Sequence, residues 1–133
     1  MLVRRLSEAP VQERHRLRSH ILMDAGELGS RNLVATWVEV PPGAHQTSHS
    51  HENAEQIYVV VRGSGTMIVA GDREQVGVGD LVLIPPATDH GIENNGDDDL
   101  VYVTAASPPV SMQELYENEL AEVTGYDDDD EDL

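Results

Sequence analysis

Three histidines and a neighbouring amide carry the chemistry that this chain can be read for. His49 and His51 are one residue apart in residues 43–63, just ahead of the β-branched run 57–61. Side chains of a strand alternate between faces, so these two imidazoles point the same way, about 6–7 Å apart. Two imidazoles aimed into one space need further ligands. Glu55 or Gln56 can supply one from the start of the following strand, and His90, in residues 79–94, supplies another. Imidazole suits Zn, Fe, Ni and Cu and, beside oxygen donors, Mn. The expected cofactor is therefore one divalent metal ion of that group.

The first stretch reads G-x5-H-x-H-x4-Q-x6-G from Gly43 to Gly63, and the second reads G-x5-P-x-A-x2-H-x3-N from Gly79 to Asn94. Together they resemble the two motifs of the cupins, over about residues 33–104. Gln56 stands where glutamate is usual and Ala87 where glycine is usual. Fifteen residues, 64–78, separate the motifs. The resemblance implies an all-β cupin jelly-roll β-barrel, a metal held by His49, His51, Gln56 and His90, and a homodimer. Glu55 lies one residue too far from Gly63 for the motif, which favours Gln56 as the fourth ligand.

Four such ligands on an octahedral ion would leave two positions for water, substrate or dioxygen. A glutamate would cancel one unit of metal charge. Gln56 does not, so the site would remain a stronger Lewis acid and favour an anionic ligand. Strand alternation gives Tyr58 the facing of Gln56, and the resemblance places Tyr102, twelve residues beyond His90, over the metal. Either tyrosine could orient a substrate oxygen or act as a weak acid, and these two are the candidate catalytic residues. His45 is expected to be exposed, His15 and His20 to be ordinary strand or loop residues, Arg62 to lie on the surface, and Asn94 to stabilise its turn.

Two function classes follow. One is a metal-dependent enzyme acting on a small, anionic organic molecule, by isomerisation or ring opening or by dioxygenase chemistry. The glutamine variant resembles small cupins that linearise unsaturated uronates, which favours the first of these chemistries. The other class is a non-catalytic module that binds or senses a small molecule in its barrel.

Composition narrows the partners. The 133 residues contain 8 basic and 25 acidic side chains, a net charge of −17, and every basic residue is arginine. So negative a field repels phosphate backbones, which argues against nucleic acid. Taking the six acids of residues 127–132 away from −17 still leaves −11. Abundant acid without lysine matches a cytoplasmic protein of a high-salt organism, where salt screens the self-repulsion. Lowering salt from molar to millimolar should then lower the melting temperature, and a flat profile would count against this reading. There is no cysteine, so no disulfide or thiolate chemistry. Apolar runs such as 57–61 and 81–84 are far below the ~20 residues that span a bilayer, and no membrane partner is expected.

The elements that must position these residues are short strands punctuated by glycine and proline, the pattern of an antiparallel sandwich or barrel. Residues 1–31 are expected to form an N-terminal arm with one alternating strand over 14–23. This segment is mildly basic, and it could pair with a neighbouring subunit or fold back on its own barrel. The barrel proper spans 32–107, with Gly71-Asp72 as a two-residue hairpin and Asn95-Gly96 as a type I′ turn. After Pro108-Pro109 the period becomes helical. Ser111 and Glu114 form a capping box and Met112, Leu115, Tyr116, Leu120 and Val123 recur on one face, giving a short C-terminal α-helix over 108–125. An acidic disordered tail is expected over 126–133.

Overall fold

The computed structural model describes residues 1–109. Except for Pro108 and Pro109, the expected C-terminal helix and acidic tail lie outside the described residues. Nine strands follow one another: β1 Val11–Arg14, β2 Leu17–Met23, β3 Val34–Val40, β4 Glu55–Arg62, β5 Ser64–Val69, β6 Asp72–Gly77, β7 Leu81–Ile84, β8 His90–Glu93 and β9 Leu100–Ser107. They form a six-stranded sheet in the order β1-β2-β3-β9-β4-β7 and a three-stranded sheet in the order β6-β5-β8. All pairings are antiparallel. This is the jelly roll expected from the sequence.

Alternation decides what faces inward. On β3 the residues Val34, Thr36, Val38 and Val40 are buried while those between are half-buried. Registers align Thr36 with Thr104 and Thr104 with Tyr58, and in the next row Val38 with Tyr102 and Tyr102 with Val60. These rows meet Met67 and Ile92 of the smaller sheet in one core. The chain has no phenylalanine. Tyr58 and Tyr102 fill the aromatic volume instead, stacked with ring centroids 4.8 Å apart.

Several local expectations are corrected. The stretch 14–23 is not one strand but part of a hairpin, turning at His15 and Arg16 with left-handed φ of 53° and 72°. Neither residue is the Asn or Gly that usually marks such a turn, so the pattern concealed it. Ahead of the turn a 3-10 turn spans Leu6–Glu8 and β1 begins at Val11. The hairpin folds back on its own barrel, β2 pairing with β3. The turn between β5 and β6 is Ala70-Gly71 (φ 51° and 86°), one residue earlier than read. Asn95-Gly96 closes no hairpin, because β8 and β9 belong to different sheets. Gly63 is obligatory: its φ is 75°, and a Cβ there would lie 2.3 Å from the carbonyl oxygen of Asp99.

Candidate metal centre

The segment between β3 and β4 matters more than its lack of an assigned strand implies. It runs antiparallel beside β8, with the Gln46 N–H donating to the Ile92 carbonyl at 2.8 Å. His49 and His90 exchange reciprocal backbone hydrogen bonds of 2.9 and 2.8 Å. Their side chains therefore leave the backbone side by side, with ring centroids 4.3 Å apart. Two residues on, the His51 carbonyl accepts from the Ala87 N–H at 2.8 Å, which ties it to the turn before β8. Ala87 holds φ at 59°, a left-handed conformation that explains why glycine is usual there.

One ring nitrogen from each of His49, His51 and His90 lies within 4.8 Å of the others, and all three residues are buried. Two tautomers follow from the hydrogen bonds. His49 Nδ1 lies 2.8 Å from the Thr47 carbonyl, and His90 Nδ1 lies 2.9 Å from that of Thr88. A carbonyl only accepts, so in the neutral ring Nδ1 carries the proton and Nε2 keeps its lone pair. This is how protein groups commonly orient metal-ligating histidines. His51 Nε2 is buried with no hydrogen-bond partner among the described residues.

Burial keeps the cluster neutral. It is the largest influence on all three rings, lowering His49 to about 3 and His51 to about 4, and lowering His90 too. Repulsion from His90 lowers His49 and His51 further, while the Thr47 and Thr88 carbonyls oppose the shift at His49 and His90. Neutral imidazole is the form that binds metal.

Gln56 completes the group. Its Oε1 lies 3.1 Å from His90 Nε2, both groups buried. With His90 protonated at Nδ1, this sets two lone pairs against each other, unless the amide turns or a cation lies between them. Buried imidazole nitrogens beside an amide oxygen, with His51 Nε2 unpartnered among the described residues, are a donor set that suits a divalent ion. The residues present thus fit a divalent cation. Glu55, the alternative ligand, is exposed.

The remaining sequence candidates distribute as follows. Tyr58 is wholly buried, its ring 5.8 Å from that of His90, and its hydroxyl donates to Gln46 Oε1 at 2.5 Å. Tyr102, also wholly buried, stacks on Tyr58. His45 and Arg62 are exposed. Asn94 is buried and donates to the carbonyls of Val40 and Asp98, which fixes the turn after β8. His15 lies on the hairpin turn, and His20, on β2, lies 3.3 Å from a Glu39 carboxylate oxygen.

Sequence reasoning missed Gln46 and Gly91. A Cβ at Gly91 would lie 2.9 Å from the Gln46 carbonyl oxygen and 3.4 Å from the Ser48 Cα, both backbone atoms. Glycine here lets the His49 segment close against β8. Gly91→Ala should force that segment outward and weaken metal binding at least about tenfold, an effect of the size seen when groups supporting a ligand are lost. Titration of the metal-free protein would measure it, and unchanged affinity would show that the segment gives way freely.

Comparison with known proteins agrees with the fold. The model of the Cupin domain matches residues 36–106. An uncharacterised protein of Methanocaldococcus jannaschii is 36% identical over 75 residues, 56% of this chain and 60% of that protein. An oxalate-binding protein of Thermotoga maritima is 28% identical over 85 residues, 64% of this chain and 69% of that one. Among solved structures, KdgF from Halomonas sp. superposes with a TM-score of 0.74 at 24% identity, covering 85% of this chain and 98% of that one. A predicted oxalate decarboxylase of Thermotoga maritima gives 0.74 at 22% identity, covering 80% and 99%. With both motifs folded onto one cluster and the domain match running from β3 into β9, the chain belongs to the cupins.

Proposed function

We propose that this protein holds one divalent metal ion through His49, His51, His90 and Gln56 and uses it to bind a small organic anion for isomerisation or ring opening. The observation that carries this reading is the set of three neutral imidazoles closed by an uncharged amide. When bound, the ion supplies a Lewis acid that polarises a substrate oxygen. The chain does the rest. Thr47 and Thr88 hold His49 and His90 by their Nδ1 protons, so two Nε2 lone pairs stay aimed into the site. Tyr58, its hydroxyl donating to Gln46 and its ring stacked on Tyr102, is the candidate to orient a substrate oxygen. Burial of the cluster excludes bulk water and strengthens every charge interaction within it.

Elemental analysis of protein purified without chelator tests the metal. About one zinc, manganese or nickel per chain supports the Lewis-acid reading and directs a screen of uronates and other sugar acids. Iron or copper would favour dioxygenase chemistry and an oxygen-uptake screen. A second reading, binding without catalysis, gains support from the similarity to the oxalate-binding protein. Metal and anion binding without turnover of any sugar acid would select it.

The uncharged ligand makes its own prediction. Gln56→Glu should retain the metal while weakening anion binding about tenfold or more, because the new carboxylate cancels one unit of charge in a low-dielectric site. Calorimetry with a dicarboxylate checks it. Unchanged affinity would sink the charge argument.

A further inference from the structure

We propose that the outer face of the six-stranded sheet is covered by the chain's own C-terminal segment, residues 111–123. β3, β9, β4 and β7 carry two adjacent apolar rows on the side turned away from the core. Strand registers set Trp37, Val103, Val59 and Leu81 in one row. Ala35, Ala105, Ile57 and Leu83 form the next. Leu81 and Leu83 are 58% and 53% exposed, and the others are half-buried. An antiparallel sheet that meets water normally turns a polar face to it. These rows do not, and a contiguous apolar face marks a surface that another element covers.

Size and place select the occupant. With strands about 4.8 Å apart and rows about 7 Å apart, the two rows and their side chains cover about 20 Å by 12 Å. That is well below the ~800 Å² per partner of a specific dimer interface. It suits one helix about 10 Å wide. The chain leaves the sheet at Ser107, the end of β9, which runs through the middle of both rows. At no more than about 3.6 Å per residue, Ser111 lies within about 15 Å of that point. From there the sequence has a helical period, with Met112, Leu115, Tyr116, Leu120 and Val123 on one face. Residues 112–123 as a helix would be about 18 Å long. Glu119 falls on that face too. Arg62, exposed in the row beyond Val103, offers the opposite charge.

Trp37 is the only tryptophan of the chain and lies in this face, so acrylamide quenching of its fluorescence reports the cover. In the full chain the wild type should be weakly quenched, by the same amount at every protein concentration. Leu120→Glu would set a charge against the apolar rows and should raise the quenching constant about twofold or more. Ala121→Glu adds the same charge one residue on, where helical spacing turns it away from the face, and should change nothing. Leu83→Glu, on the sheet itself, should act as Leu120→Glu does, which keeps the test should one variant not fold. Wild-type quenching retained in both Leu120→Glu and Leu83→Glu would overturn the inference. So would equal effects of Leu120→Glu and Ala121→Glu. Quenching that falls as the protein is concentrated, with a dimer by sedimentation and no response to Leu120→Glu, would overturn it in favour of a second copy on this face.

Discussion

His51→Ala should yield a folded protein that has lost its metal. The core at Val38, Val60, Met67, Ile92 and Leu100 does not depend on this side chain. The imidazole carries a buried Nε2 with no hydrogen-bond partner among the described residues. An unsatisfied buried polar atom costs about 1–3 kcal/mol, so removing it offsets part of the cavity that alanine leaves. Stability of the metal-free protein should change by no more than about 1 kcal/mol. Metal affinity should fall far more. Loss of groups that merely support a ligand costs about 10–100-fold, and loss of a ligand itself should exceed 100-fold. Metal per chain after dialysis and the melting temperature of the metal-free form are the two readouts. Full occupancy in the variant would show that the cluster is not the site.

Acid should destabilise the metal-free protein, with the loss beginning near neutrality. Burial holds His49 at about 3 and His51 at about 4, both below the ordinary 6.5. As the pH falls below about 6.5 the unfolded chain takes up protons that the folded chain refuses. The stability these histidines provide is therefore complete above 6.5 and is lost progressively towards pH 4 and then 3. At pH 5 His49 alone should cost about 2 kcal/mol, roughly 8 °C in melting temperature for a chain of this size. Protonation of surface carboxylates acts the opposite way by relieving self-repulsion. The informative quantity is thus the difference between wild type and His49→Asn, measured at pH 7.5 and at pH 5. It should narrow or reverse at the lower pH. A difference independent of pH would mean that the ring is not held neutral by burial.

The sequence by itself determined the fold class and four of the residues that meet at the centre. The spacing of these four is a local property: His49 and His51 share a strand-like segment, and Gln56 and His90 stand at fixed distances from turn glycines and prolines. Inward alternation on β3 and β4 was legible for the same reason, since side chains of an extended chain must alternate. The Ala87 departure needed only its left-handed φ of 59° to make sense.

Tertiary structure decided what depends on two distant segments touching. The Gln46–Tyr58 bond joins opposite sheets, and no periodicity announces a partner twelve residues away across a barrel. Gly91 matters because the Gln46 and Ser48 backbone closes over it, which is invisible until the segment lies beside β8. The tautomers of His49 and His90 come from the backbone carbonyls of Thr47 and Thr88, and any residue type could supply those. The β1–β2 hairpin also escaped, because His15 and Arg16 hold φ values usually left to asparagine and glycine. Packing of that hairpin against β3 overrides the local preference, and only the assembled sheet shows it.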